Sequence, residues 1–340
     1  KVVPILCDLA LMAVVYRLAW LASGKQEAGR RAATLWFLNP FSIWMTAAWG
    51  AYDSIPTFLT LISTLALVSR RPAASGLLLA LAAGWKLYPL LLMPTFLVYG
   101  VRSLSLRSFM RFAIAFGASS AIIFLPATHQ VLGAVLFATL EPAGRLGFGL
   151  TYWSVLLAVQ APSTLVIPGA LVLFVIVMIT ALAMILRLQV RREACWLLSA
   201  QFLVLAALLL SLRIVPEPFF FWILPLWTIL ACLGRIEVSP LYGATAFALA
   251  YALVNLPFPF YLLSSYPFTG QMITDAVGFL GVRTAEAGVY QPHLSLASAS
   301  LATLGFGFSS CLALSLADLF SRRHYVDMSI RKLARLLRPK

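Results

Sequence analysis

Charge is scarce in this sequence: only 11% of its 340 residues are Asp, Glu, Lys or Arg, while 62% are hydrophobic and the mean hydropathy is +0.95. So little charge excludes an ordinary soluble domain, which has no use for so much apolar surface. Histidine and cysteine are scarcer still. The three histidines (His129, His293, His324) lie far apart, and the four cysteines (Cys7, Cys195, Cys232, Cys311) sit in or beside apolar runs. That excludes a zinc signature and a disulfide framework, and reads the thiols as buried and structural. No low-complexity linker, soluble domain or obvious internal repeat interrupts the chain, and the missing repeat weighs against an inverted-repeat transporter. The sequence opens on Lys1, with no methionine and no recognisable signal peptide.

What is present is one apolar run after another. Each approaches the ~20 residues that cross ~30 Å of hydrocarbon, so the chain reads as an all-α, polytopic transmembrane helical bundle. The net charge of +14 falls in short loops between runs, where it sets orientation and does not point to nucleic acid. About nine spans are expected, over 3–22, 32–49, 55–69, 109–125, 163–186, 194–212, 219–234, 240–256 and 293–319. Between the third and fourth lies a re-entrant pair, 73–85 and 87–99, with Lys86 and Pro89 at its tip. One long span there would put the basic loops at Arg70–Arg71 and Arg102–Arg107 on opposite sides. Residues 1–320 form the membrane core and 321–340 a basic amphipathic tail on the anionic inner leaflet. Keeping every basic loop inside puts Lys1 outside and the C-terminus in the cytoplasm. An upstream span and first outer loop are therefore expected before Lys1. Richness in Ala, Leu and Arg leans towards a prokaryotic plasma membrane over the endoplasmic reticulum.

The segment from Trp36 to Phe58 organises the rest. It is mostly apolar, yet it carries Asn39, Pro40 and Asp53 among Trp36, Trp44, Trp49 and Tyr52. An ionisable group at the end of a span is costly to desolvate and is a functional candidate by default, although Asp53 also suits a helix N-cap. With the sidedness above, the polar groups gather at the outer face: Asp53, Lys86, Arg145, Arg213 and Glu217, with Tyr52, Tyr88, Tyr152 and Trp153. Cations neutralise phosphate, aromatics lie against sugar C–H faces, and carboxylates accept hydroxyl hydrogen bonds. Each has a plainer reading. Lys86 snorkels, Arg145 and Arg213 pair with Glu141 and Glu217, Asn39 satisfies a kink, and Tyr152 and Trp153 anchor at the interface. Asp8, inside the first span, needs a partner, and Arg17 is only loosely placed to supply one.

Four segments taken together resemble the GT-C superfamily of polytopic glycosyltransferases, which includes GPI-type and polyprenyl-phosphate-mannose mannosyltransferases. They are NPFSIWMTAAWGAYDSIPTF (39–58), SGLLLALAAGWKLYPLLLMP (75–94), RIVPEPFFFWILPLW (213–227) and KVVPILCDLALMAVVYRLA (1–19). The resemblance implies transfer of a hexose, most readily mannose, from a polyprenyl-phosphate donor to a glycan or glycolipid acceptor on the extracytoplasmic face. It places Tyr52 and Asp53 at the second outer turn and Lys86 and Tyr88 in a "K-YP" motif. It also puts the catalytic base upstream of Lys1, leaving Asp53 and Glu217 as in-chain candidates. Where the family has Gln this chain has Ala51, and the usual "QY" reads Pro218-Phe219. No cofactor and no metal is expected beyond the lipid-linked donor and membrane lipids as partners. The alternatives are a transporter or lipid flippase, for which spans four to nine lack mid-membrane polar groups, and a non-catalytic scaffold relative.

Overall fold

A computed structural model describes residues 1–127, 148–153, 155, 163–187, 193–212, 214–255 and 296–336. Apart from one short parallel pairing, the regular structure among them is helical. The first helix, α1 (Val2–Ser23), ends on Gly24 and turns back into α2 (Gln26–Phe37). The backbone then breaks at Leu38–Asn39. The Asn39 side chain accepts hydrogen bonds from the Phe41 and Ser42 amides, and Pro40 occupies the first helical position, so a new short helix, α3 (Pro40–Ile43), starts there. A π-helical turn (Trp44–Trp49) follows and closes on Gly50, whose φ of 81° a glycine adopts without strain. Next come α4 (Ser54–Val68), α5 (Pro72–Trp85), α6 (Tyr88–Leu91), α7 (Met93–Ser103) and α8 (Leu106–Phe124). The remaining helices are α9 (Ser163–Arg187), α10 (Glu193–Ser211), α11 (Phe220–Cys232), α12 (Ser239–Asn255) and α13 (Leu296–Leu336). Strands β1 (Phe148–Gly149) and β2 (Ile214–Val215) form the parallel pair.

Two helices make the centre. In α10, 94% of the apolar window is buried inside the protein, and in α11 every residue from Phe220 to Ala231 is buried. A helix that is apolar all round is stable only inside other helices, and these two are. By contrast only 6% of the α8 window is buried, leaving Met110, Ile114 and Ile122 exposed. Helix α4 connects the bundle through small polar residues. Ser54 Oγ donates to the Pro4 carbonyl (3.0 Å), Ser63 Oγ to the Ser75 carbonyl (2.8 Å), and Gln201 Nε2 of α10 to Thr64 Oγ1 (2.8 Å). Such bonds between helices contribute about 0.6–2 kcal/mol each in apolar surroundings.

The contacts sort the loops into two ends. At one, Arg70 donates to the Ser103 carbonyl, Arg102 to the Leu186 carbonyl (2.7 Å), and the Glu237 amide to Asp318 (2.6 Å). At the other, Lys1 Nζ donates to the Ala48 carbonyl (2.8 Å), Lys86 meets Asp53, and the Leu150 amide reaches the Val215 carbonyl (2.7 Å). The basic turns at Arg70–Arg71 and Arg102 therefore share an end, and the chain between them goes out along α5 and back along α7. Helices α5 and α8 run parallel, since Gly76 faces Phe112 and Phe116 while Gly84 faces Ile123.

Among the described residues, four helical stretches are long and apolar enough to cross a membrane: Val2–Ser23, Leu106–Phe124, Ala194–Ser211 and Ala299–Ser321. The nine expected spans are not shown among the described residues, for two physical reasons. The run at 32–49 is cut by the Asn39 cap. Helices α4, α5, α7 and α11 hold 15, 14, 11 and 13 residues, or roughly 16–22 Å at ~1.5 Å per residue, short of the ~30 Å hydrocarbon core. Helix α13 continues without a break past residue 320 to Leu336. The segments expected at the outer face, around Glu141 and Arg145 and over 257–292, lie outside the described residues, as do Arg191, Arg192 and His293.

Gly76 and Gly117 offer a paired test of this packing. A Cβ on Gly76 would press on the Phe112 carbonyl and lie 2.8 Å from the Phe116 amide, whereas one on Gly117 meets nothing within 4 Å. Gly76→Ala is expected to cost about 1–3 kcal/mol, and Gly117→Ala to be neutral or stabilising by up to ~1 kcal/mol. Thermal melts in detergent read both, and equal effects would reject the α5–α8 packing.

Candidate functional site

The ends of α4, α5 and α11 opposite the basic turns meet at one cluster, and backbone geometry places each member. Asp53 precedes α4 but makes no capping bond with its side chain, so the N-cap reading does not hold. Helix α5 stops at Trp85, and Lys86 is extended (φ −146°, ψ 145°), because a Tyr-Pro pair follows and Pro89 must start a new helix. Trp222 lies on the first turn of α11, just after the 3₁₀ turn Glu217–Phe219.

Lys86 Nζ lies 2.5 Å from Asp53 Oδ1, and the Trp222 indole N–H donates to the same oxygen at 2.7 Å. Oδ2 receives neither bond. The Asp53 side chain is 5% exposed and that of Lys86 28%, so the pair is buried on the acid's side and partly open on the base's. Lys86 therefore does not simply snorkel. Its ammonium sits 5.4 Å from the ring centroids of both Phe219 and Trp222, within cation–π range. Those rings stack at 3.8 Å, and Tyr88 stacks on the other side of Trp222 at 4.2 Å with a 7° interplanar angle. The Tyr88 hydroxyl shares a hydrogen bond with Thr57 Oγ1 (3.2 Å), tying α6 to α4.

The structure brings together Asp53, Lys86 and Tyr88, with exposed Tyr52 beside them. Glu217 is buried in the 3₁₀ turn two residues before Phe219. Tyr152 and Trp153 stack on each other at 5.1 Å after β1, beside Thr151, which donates to the Leu212 carbonyl (3.1 Å). Asn39 is not in the cluster. Its amide serves as the α3 cap and donates to Thr245 Oγ1 of α12 (3.2 Å), a structural task. Arg145 and Arg213 lie outside the described residues. Asp8 does not face Arg17, which instead packs over the Trp20 ring at 4.3 Å. Asp8 Oδ2 accepts from Ser42 (3.3 Å) and Thr46 (3.0 Å), while Oδ1 is buried with no partner among the described residues. Of the thiols Cys195 is buried and the other three are half-buried. No group of three His, Cys, Asp or Glu side chains gathers among the described residues.

Sequence reasoning missed Trp222, Phe219 and Thr57. The available signal was chemical: a tryptophan in an apolar helix must find an acceptor for its N–H, and an unpaired carboxylate is the best one near.

Residues 1–139 match the family described as GPI transamidase subunit PIG-U, a match over less than half of the 340 residues. No curated protein matches the chain closely enough to add a relative. The family match corrects the glycosyltransferase resemblance. Three of its four motif segments (1–19, 39–58 and 75–94) lie inside the matched stretch. The family found there is a subunit of an enzyme that attaches proteins to GPI anchors, not one that moves hexoses. A polyprenyl-phosphate sugar donor, a glycan acceptor and a mannosyltransferase activity are therefore withdrawn. The motifs mislead because what they encode here is structural. Asn39-Pro40 is a helix cap, and the Lys86–Pro89 stretch is a helix break.

Removing the indole donor tests the cluster. Trp222→Phe keeps the ring stack but leaves Asp53 Oδ1 with Lys86 alone, and should destabilise the protein by about 1–3 kcal/mol. Trp227→Phe is the control, since the Trp227 N–H has no partner among the described residues. Equal melting points for the two variants would reject the Trp222–Asp53 bond.

Proposed function

We propose that this chain is a PIG-U-type subunit of a GPI transamidase, seated in the endoplasmic-reticulum membrane and working with the protein partners and substrates of that complex. The observation that supports this most directly is the family match over residues 1–139, the stretch that holds Asp53, Lys86 and Tyr88. An endoplasmic-reticulum setting takes the place of the prokaryotic plasma membrane expected from composition. The two-ended charge pattern fits this setting. The end bearing Arg70, Arg71 and Arg102 faces the cytosol, as does the C-terminal part of α13, and the Asp53–Lys86 end faces the lumen.

On this reading the chain carries no sugar-transfer chemistry. Its apolar bundle fixes a polar cluster at the lumenal end, where it serves as a binding or docking surface within the complex. Asp53, Lys86, Tyr88, Tyr52, Glu217, Tyr152 and Trp153 are its candidate residues, with Arg145 and Arg213 adjoining in sequence.

Expression in cells whose own PIG-U has been removed tests the reading. Surface display of a GPI-anchored reporter should return, and a tag on this chain should capture the transamidase. Asp53→Asn should lower the reporter several-fold, because a destabilised membrane subunit falls in abundance. A chain present at normal levels that neither restores the reporter nor captures the complex would refute the proposal.

A further inference from the structure

Arginines gather at the end of the bundle away from Asp53, and the nearby sequence supplies no acid to answer them. Between Asp53 and Glu141 there is no Asp or Glu, yet this stretch holds Arg70, Arg71, Arg102, Arg107 and Arg111. Arg70 donates to the Ser103 carbonyl, which brings the α4–α5 turn against the α7–α8 turn, and Arg102 is engaged with the Leu186 carbonyl. Arg71, Arg107 and Arg111 are exposed, and among the described residues their guanidinium groups make no ion pair, hydrogen bond or ring contact. The parallel packing that sets Gly76 against Phe112 and Phe116 carries back towards the helix starts, and puts Arg71 level with the stretch from Arg107 to Arg111.

Helix α8 continues this cradle with an apolar track. Arg107, Arg111, Ile114, Ala118 and Ile122 follow one another in steps of three and four, so they line one face of the helix. That face is open: Ile114 is 63% and Ile122 76% exposed. From Arg111 to Ile122 it runs roughly 16 Å at ~1.5 Å per residue, about the depth of one leaflet of a ~30 Å hydrocarbon core. Charge at one end and an apolar track of leaflet length match a single anionic lipid. A guanidinium holds a phosphate through two parallel N–H donors. Several of them with no carboxylate beside them favour a doubly charged phosphomonoester over a singly charged phosphodiester. We propose that Arg71, Arg107 and Arg111 form a site for a phospholipid bearing a phosphomonoester, with the phosphate in the arginine cradle and an acyl chain along Ile114, Ala118 and Ile122. The site lies at the opposite end of the bundle from the Asp53–Lys86 pair and does not rest on the transamidase reading.

The test uses the full chain in phosphatidylcholine nanodiscs doped with phosphatidic acid or with phosphatidylglycerol at matched total charge, with native mass spectrometry reading the lipids retained. Phosphatidic acid should be retained about tenfold over phosphatidylglycerol, the scale of one or two arginine–phosphate contacts. R107Q/R111Q should erase that preference. K25Q/R30Q is the charge-matched control and should keep it, since these two residues are exposed at the same end but belong to the start of α2, which packs on α1 and α11. All four substituted positions are exposed, so neither pair removes a core contact. Equal retention of the two lipids by the wild-type chain would overturn the inference. So would an equal fall in both double variants, which would show a diffuse positive field and no site. A lipid-free chain that dimerises through α8, or a captured complex without the lipid, would give this face to a second copy or to a partner's helix and overturn it as well.

Discussion

The ion pair between Asp53 and Lys86 closes the end of the bundle opposite the basic turns, and the surrounding structure depends on it. Helices α4 and α5 are joined at their basic end by Ser69–Arg71 and have no covalent tie at the other. The ion pair supplies one, and Trp222 extends it to α11 through the same carboxylate oxygen. A lone carboxylate taken out of water costs several kcal/mol; here the cost is offset by a cation, an indole donor and partial exposure of the lysine. Removing any one of the three leaves the other two in a site shaped for a missing partner. The rings of Tyr88, Trp222 and Phe219 stack as a row beside the pair, so their orientation depends on where Trp222 is held.

Away from this cluster the bundle uses packing of the kind lipid surroundings demand. The apolar centre, α10 and α11, gains little from being hydrophobic in a hydrophobic solvent, so close approach and hydrogen bonds between helices matter more. Gly76 lets α5 lie on the backbone of α8, and the serines and threonines of α4 bond to α1, α5, α6 and α10. A consequence is that short helices suffice. Helices α4 and α5 need not be long enough to cross alone when their neighbours shield their ends.

Much of this was legible in the sequence. The helix break at Lys86 was legible because Tyr-Pro marks where the backbone has to restart. Asp53 and Lys86 stood out because ionisable residues among apolar ones are costly. Their pairing, 33 residues apart, was not legible, and nor was Trp222, 169 residues from Asp53 and hidden in the run FFFWILPLW. Asn39 looked like a site residue because a polar residue before proline in an apolar run signals either a kink or chemistry; the Phe41 and Ser42 amides settle it as a cap. Nine spans are not shown among the described residues, where capping cuts one apolar run in two. The enzymatic reading failed because motifs that set helix ends say how a chain bends and nothing about what it transfers.

A double-mutant cycle on Asp53→Asn and Lys86→Met, read as unfolding free energy in detergent, tests the clasp most directly. A coupling of about 1–3 kcal/mol is the expected result, the range for groups within one hydrogen-bonded network. Strict additivity of the two substitutions would contradict it, and would mean that this end of the bundle is held by packing alone.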